Sequence, residues 1–468
     1  MEEFKVQKVD DYTWRIPKEG NMRVDGIVFA SEKMFASIRN DESLKQVANV
    51  AALPGIVKAS FAMPDIHWGY GFCIGGVAAF DVDEGVVSPG GVGYDISCSV
   101  RLLRTELTLN EVKPHIHDLM SLLFREIPTG VGAHRRDFKL SQDEEKLVLK
   151  NGAQWAVERG FGTGADLDKI EDRGLLRGGN VSLVSAKALA RGRDQLGTLG
   201  SGNHFLEVGY VADIYDAAEA GRLGLFKNQI TVFQHCGSRG LGYQVCDDYL
   251  DLMIRASHKY AIELPDRQLC SAPIRSEEGE KYLGAMACAA NYAFANHQMI
   301  THYVRENFEK YFKKSVDELG LQIVYHVSHN MAKFEEHIVG GVRKRLLVHR
   351  KGATRAFPGQ PVLIPGDMGR YSFVLVGTEE AMKKTFGSTC HGAGRLMSRH
   401  QAKRIARGRN IGHEMKDKGI TVLGATYATI VEEMPEAYKD AEEVVNVVDA
   451  LGISKKVARL VPIGVIKG

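Results

Sequence analysis

A chain of 468 residues with 44% apolar and 25% charged residues can bury a large core, and no run reaches the roughly 18 uncharged apolar residues of a membrane span, which excludes a helical membrane protein. A formal charge of +2 excludes a strongly basic or acidic polyelectrolyte, so any affinity for nucleic acid must come from one face and not from bulk charge. Seven scattered cysteines form an odd set without a CxxC pair, which speaks against a disulfide framework and a zinc finger and for reduced thiols.

The first twenty residues, opening Met1-Glu2-Glu3-Phe4, carry acids and lack a basic start and an apolar middle, so no secretory leader is expected and the cytoplasm is the expected compartment. Residues 55–103 read as short β segments broken by glycine, clearest at 74–80 and 99–103. Residues 107–160 are charged with helical spacing and predict surface helices. Further strands are expected at 230–233, 322–325, 362–364 and 372–376. Between them, a long helix over about 280–312 carries an apolar stripe through Tyr282, Met286, Ala289, Ala293, Phe294, Met299 and Tyr303. The reading is a mixed α and β chain with no repeat and no linker composition.

Tyr94-Asp95-Ile96-Ser97-Cys98 puts a carboxylate and a thiol three residues apart after a glycine-rich turn, where both can face one cation. Gly202-Asn203-His204, Phe233-Gln234-His235-Cys236 and His326-Val327-Ser328-His329-Asn330 each place a histidine beside an expected strand, a common home for site residues. Asp95, Cys98, His204, His235 and His329 together make a nitrogen, oxygen and sulfur set suited to a divalent transition metal. Spacing alone leaves ordinary hydrogen-bonded histidines equally open. The thiolate favours zinc on softness, and no spacing specifies manganese.

Six blocks, in order, resemble the RtcB-type RNA ligases from about Met63 to Gly468. They are Met63-Pro64-Asp65-Ile66-His67-Trp68-Gly69-Tyr70-Gly71, Gly93-Tyr94-Asp95-Ile96-Ser97-Cys98, Gly200-Ser201-Gly202-Asn203-His204-Phe205, His349-Arg350-Lys351-Gly352-Ala353-Thr354-Arg355-Ala356-Phe357, Cys390-His391-Gly392-Ala393-Gly394-Arg395 and Val465-Ile466-Lys467-Gly468. The resemblance implies an α+β fold, residues 1–468 as a single interwoven domain with a large mixed β-sheet around a deep metal-binding cleft. It implies that Asp95, Cys98, His204, His235 and His329 bind two manganese ions, with Cys98 and His204 as the shared or central ligands. It also implies that His391 is the nucleophile taking GMP from GTP and that Asp65 orients it. Guanylate contacts are implied at Asn203, His204, Phe205, Leu206, Glu207, His329, Asn330, Ser372, Tyr438 and Lys467, with Pro365, Gly366, Asp367 and Met368 and the turn His391, Gly392, Ala393, Gly394 around the phosphate. The implied activity joins an RNA 2′,3′-cyclic phosphate or 3′-phosphate to a 5′-hydroxyl in tRNA splicing or RNA repair, with RNA, GTP and an archease-type activator as partners.

The residues add two expectations of their own. His391-Gly392-Ala393-Gly394 reads as a helix start, where free NH groups favour a phosphate. Continuing that helix, Arg395, Arg399, Lys403 and Arg407 recur every four residues, with no acid between His391 and His413, as a track for RNA phosphates that Arg239, Lys351 and Arg355 extend. Asp367 stands where the family pattern has serine or threonine, a carboxylate that repels a triphosphate unless paired, with Arg370 as the nearby cation. Among competing classes, the nearest match to a lysine-nucleophile ligase motif is Arg23-Val24-Asp25-Gly26, whose arginine stays protonated, and a Walker A loop is absent. A metal-dependent RNA cyclic phosphodiesterase and a non-catalytic RNA-binding protein are the alternatives; neither needs a modified His391.

Overall fold

The first long β element, Ile56–His67, pairs antiparallel with Ile74–Asp81, so the region read as short pieces contains a long hairpin whose connection holds Gly69 and Gly71. The computed structural model describes residues 5–135 and 137–468; the acidic start at residues 1–4 lies outside them. This hairpin sits inside a seven-stranded sheet ordered Gln7–Lys8, Thr13–Ile16, Asp25–Phe29, Ile56–His67, Ile74–Asp81, Val342–Lys351, Asn330–Val339. Its last two strands are closed by Gly340 and Gly341 at φ 57° and 81°, the left-handed pair that a two-residue hairpin turn requires.

A second sheet of eight strands runs Gln322–Ser328, Ser99–Thr108, Gln229–Cys236, Phe205–Ile214, Ser454–Lys467, Ser372–Gly377, Pro361–Ile364, with Thr421–Gly424 parallel to Ser454–Lys467 beside that path. The α+β class is therefore present, built on two large mixed sheets where one was expected. His329 lies between Gln322–Ser328 in one sheet and Asn330–Val339 in the other, so the chain crosses from sheet to sheet at a candidate metal ligand.

The long helix spans Glu277–Phe312. Ser276 caps it by accepting from Gly279 N, and Glu277, Glu278 and Glu280 complement the dipole of the first turn. Where one apolar stripe was expected, every residue from Gly284 to Thr301 is buried. Its polar members are accordingly bonded. Asn296 Oδ1 accepts Gly197 N at 2.7 Å while its amide donates to Gly237 O at 3.2 Å, which ties together the loops leading to His204 and away from His235. Helices Ile116–Glu126, Gln142–Asn151 and Ala153–Glu158 fall in the expected 107–160 region, whereas the 21-residue helix Arg239–Lys259 was not anticipated. Among the described residues, no helix is long and apolar enough to cross a membrane.

The edge hairpin also holds a buried ion pair with a pH consequence. Arg350 grips both Glu335 oxygens at 2.6 and 2.8 Å. Burial alone would raise the Glu335 carboxyl, but Arg350 outweighs it and brings it to about 2, against 4.5 ordinarily. A depressed carboxylate adds stability above its unfolded value and loses it as pH falls through the folded one. The unfolding free energy from urea titration should therefore drop between pH 4.5 and 2, by on the order of 1–3 kcal/mol from this pair. Glu335→Gln should be less stable at neutral pH and show a shallower acid limb.

Candidate metal and nucleotide site

Asp95 and Cys98 face the same space because the chain turns tightly between them. Cys98 N donates to Asp95 O at 3.0 Å, Ser97 takes φ 56°, and Ser97 N donates to Asn330 O at 2.8 Å. Cys98 immediately precedes the strand Ser99–Thr108. On the neighbouring strand His235 pairs with Val100 on one side and Phe205 on the other, and His204 directly precedes Phe205. His329 N donates to Cys98 O at 3.0 Å. Strand register thus gathers five residues, from positions 95 to 329, at one end of the second sheet.

The donor atoms converge. Cys98 Sγ lies 3.2 Å from His235 Nε2 and 3.4 Å from His204 Nε2; His204 Nε2 is 2.8 Å from Asp95 Oδ2, and the Nε2 atoms of His235 and His329 are 3.2 Å apart. Two groups of possible metal ligands result among the described residues, Cys98 with His235 and His329, and Asp95 with Cys98 and His204. The thiol is common to both. His204 belongs to one group only, so of the two residues expected to be shared, Cys98 alone has that geometry.

The electrostatics suit a cation. Burial, and then the neighbouring imidazoles, hold His235 and His329 well below the histidine range, leaving neutral lone pairs. Burial and then Asp95 push the Cys98 thiol well up, so an arriving cation must displace its proton. Burial would lower His204, but Cys236 and Asp95 outweigh it and raise the ring to about 9. A Cβ on Gly237 would stand 2.4 Å from Asp95 Oδ1, so only glycine lets that strand end pass the carboxylate. Two nitrogens 3.2 Å apart, a shared sulfur and a carboxylate oxygen fit divalent transition metal ions.

Across the cleft, Asp65 Oδ2 accepts His391 Nδ1 at 2.6 Å, His391 N at 2.9 Å and Gly392 N at 3.3 Å. The carboxylate fixes the ring with its proton on Nδ1, leaving Nε2 with the lone pair. The rings of His391 and His329 have centroids 4.8 Å apart. This arrangement corrects the expectation of a helix start at His391. Its NH groups are taken by Asp65, Gly394 turns at φ 74° with its Cα against the Asp65 backbone, and the helix begins only at Arg399, capped by Ser398 and ending at Ile405.

A cleft of about 240 Å³ joins the two halves. Of the residues expected to contact a guanylate, Asn203, Phe205, Glu207, His329, Asn330, Pro365, Gly366, Asp367, Met368, Ser372, His391, Gly392, Ala393, Gly394, Tyr438 and Lys467 line it, with Asp95, Cys98 and His235. His204 and Leu206 do not. Leu206 is at 0% exposure because its strand position points into the core. Burial pushes Glu207 up to about 8 against the pull of Lys467. Asp367 is paired with Arg370 and also accepts Gly369 N at 3.0 Å, so its charge is answered within its own loop.

The sequence reading missed His67, Ile74, Gly352 and Val465 in the lining. His67 sits two residues from Asp65 in one strand, a spacing that could have flagged it. It also missed Glu432 and Glu433. The run from Arg395 is acid-free in sequence but not in space: Arg395 pairs with Glu433 at 3.1 Å, Arg399 lies 3.5 Å from both acids, and Lys403 reaches Glu432 at 2.5 Å. Arg399 and Lys403 keep about half of their side chains exposed, and Arg407 is exposed. Two expected extensions of the track are corrected. Lys351 is buried, its ammonium given to the carbonyls of Tyr70, Phe72 and Gly90, and Arg355 is held against Glu171 and Asp172. Arg239 donates to Thr198 Oγ1 at 3.1 Å and Gly130 O at 3.2 Å.

A family model described as "RtcB: tRNA-splicing ligase RtcB" matches residues 46–468. Relatives named tRNA-splicing ligase RtcB are 53% identical in Archaeoglobus fulgidus, 51% in Thermococcus kodakarensis and 50% in Methanococcus maripaludis, each alignment covering 99% of both chains. With that match spanning the metal-ligand groups, the Asp65–His391 pair and the cleft between them, the chain belongs to the RtcB family of tRNA-splicing ligases.

Proposed function

We propose that the protein is a GTP- and manganese-dependent RNA ligase that works through a guanylated His391, in tRNA splicing or RNA repair. The observation that carries this is the Asp65 to His391 contact of 2.6 Å, which aims an imidazole nitrogen into a cleft beside the Cys98-centred ligand groups. Cys98, His235 and His329 would hold one manganese ion and Asp95, Cys98 and His204 a second. Bound metal supplies positive charge against the phosphate oxygens and lowers the cost of their crowding.

The chain's own groups do the rest. His391 Nε2 attacks the α-phosphorus of GTP, a P–N bond forms, the bond to the bridging oxygen breaks and pyrophosphate leaves. Asp65 keeps the Nδ1 proton in place while the ring gains positive charge. After hydrolysis opens a 2′,3′-cyclic phosphate, an oxygen of the RNA 3′-phosphate attacks the same phosphorus and releases His391, giving RNA-(3′)pp(5′)G. The 5′-hydroxyl of the second strand then attacks the 3′-phosphate and expels GMP. The ligands gather at the end of the second sheet, Asp65 lies in a strand of the first, and His391 follows Ser388–Cys390 in a small two-stranded sheet, which supports treating residues 1–468 as one domain. The buried free thiols fit the reducing cytoplasm, and an archease-type activator belongs to the same reading.

Arg395, Arg399, Lys403 and Arg407 form the RNA-facing rim in this account, with Arg239 beside it. Neutralising Arg399 or Lys403 should weaken RNA binding uniformly across sequences and lower the salt slope by about one unit each, with guanylation largely retained in Lys403→Ala, whose side chain is outside the cleft lining. Unchanged salt dependence in Arg399→Ala and Lys403→Ala would reduce the run to a solvated face held by Glu432. The reading itself is tested by peptide mapping after incubation with GTP and manganese: a GMP adduct on the peptide Cys390-His391-Gly392 is expected, and neither the phosphodiesterase nor the binding-protein reading produces one.

A further inference from the structure

Glu433 lies outside every motif of the sequence, yet it is at 0% exposure and its two oxygens hold different residues of the cleft lining. Oε1 receives Arg395 Nη1 at 3.1 Å and is 3.5 Å from Arg399 Nε. Oε2 accepts the Tyr438 hydroxyl and is 3.7 Å from Lys467 Nζ. All four partners line the cleft, while Glu433 stands behind them. A buried carboxylate is costly unless paired and hydrogen-bonded. Here every partner belongs to the site, Tyr438 and Lys467 at the nucleotide end and Arg399 at the basic rim, with Arg395 joined to both through a 3.1 Å bond from its Nη1 to the Tyr438 hydroxyl.

We propose that Glu433 is a positioning residue that couples nucleotide binding to RNA-phosphate binding, one oxygen holding Tyr438 and Lys467 and the other holding Arg395 and Arg399. The inference rests on the RNA-ligase reading of the same cleft. An RNA phosphate competes for the two guanidinium groups, since charge-assisted bonds to phosphate are strong. Drawn toward that phosphate, Arg395 and Arg399 release Oε1, and the carboxylate charge is left to Tyr438 and Lys467, which it then fixes more firmly. Coupling of this kind is positive and, as a matter of linkage, equal in both directions. A purely structural ion cluster would lower stability when broken and leave the two affinities independent.

The test uses equilibrium calorimetry on the full chain with manganese, with GMP as the probe of the nucleotide end and a short RNA bearing a 3′-phosphate as the probe of the rim. In the wild type, saturating RNA should tighten GMP by about fivefold or more, and GMP should tighten RNA by the same factor. Glu433→Gln keeps the shape and removes the charge; it should weaken GMP by about tenfold and bring the coupling factor close to one. Glu436→Gln, on the same segment but paired with Arg409 at 2.7 Å outside the cleft lining, should behave as wild type. GMP affinity in the wild type that ignores RNA, or coupling that survives in Glu433→Gln, overturns the proposal. Should Glu433→Gln fail to fold, Glu433→Asp, which keeps the charge but shortens its reach to the four partners, should reduce the coupling factor, and unchanged coupling there overturns the proposal. Binding at equilibrium needs no turnover, so coupling that is present in the wild type and lost in Glu433→Gln, in a protein that forms no adduct with GTP, would sink the guanylation step and leave Glu433's role standing.

Discussion

His391→Ala should lower RNA joining by roughly 10⁴-fold or more while the protein keeps its metal. The loss is large because the side chain is the covalent carrier in this account. His329, whose ring is nearest at 4.8 Å between centroids, belongs to a metal-ligand group, and Lys351 and Lys439 give their ammonium groups to backbone carbonyls. Metal retention follows from the geometry, since His391 is in neither ligand group. Asp65→Ala should slow adduct formation without releasing metal, because the carboxylate holds the ring through Nδ1 and the turn through two backbone NH groups and touches no ligand atom. Adduct yield by mass spectrometry and metal content by emission spectroscopy separate the two roles. A His391→Ala protein that still joins RNA, or one that has lost its metal, contradicts the assignment.

Cys98→Ala should be the most damaging change among the ligands. It removes the one donor common to both groups, so both sites lose a ligand at once, and the drop in metal affinity should exceed the roughly 10–100-fold seen when outer-shell partners are removed. Ligation should then fall below detection. His204→Ala should be milder at the site of His235 and His329, because His204 takes part only in the group with Asp95. Calorimetric titration with manganese should therefore show two classes of site in the wild type, one of them preserved in His204→Ala and neither of them intact in Cys98→Ala. Full ligation by Cys98→Ala would remove the metal account.

The parts of the site that sequence could reveal were those encoded locally. Asp95 and Cys98 share one tight turn, and His235 and His329 stand at or just beyond strands whose apolar runs are plain. The parts it hid depend on distant pairing. Arg395, Arg399 and Lys403 read as a free basic track because their counter-charges, Glu432 and Glu433, come from a segment 29 to 38 residues later and meet them only in the fold. Lys351 looked like a surface cation, but its strand places it under the Tyr70 to Phe72 connection, where carbonyl groups and the Tyr70 ring answer its charge. The turn at His391 resembled a helix start because glycines and small residues open many helices; the deciding group, the Asp65 carboxylate, lies 326 residues away. The hairpin of Asn330–Val339 and Val342–Lys351 had a local signal in Gly340-Gly341 that the charged residues around it obscured. The strand Ser454–Lys467, which pairs with three others, is interrupted by Pro462 and by Lys455, Lys456 and Arg459 and has no clear alternation to betray it.

The central claim is that His391 carries GMP, and the most direct measurement is the intact mass of the wild-type chain after incubation with GTP and manganese. The account predicts a gain of one GMP as a phosphoramidate, labile in acid, stable in mild alkali and located on His391. No mass gain, or a label that maps to a lysine, would contradict it.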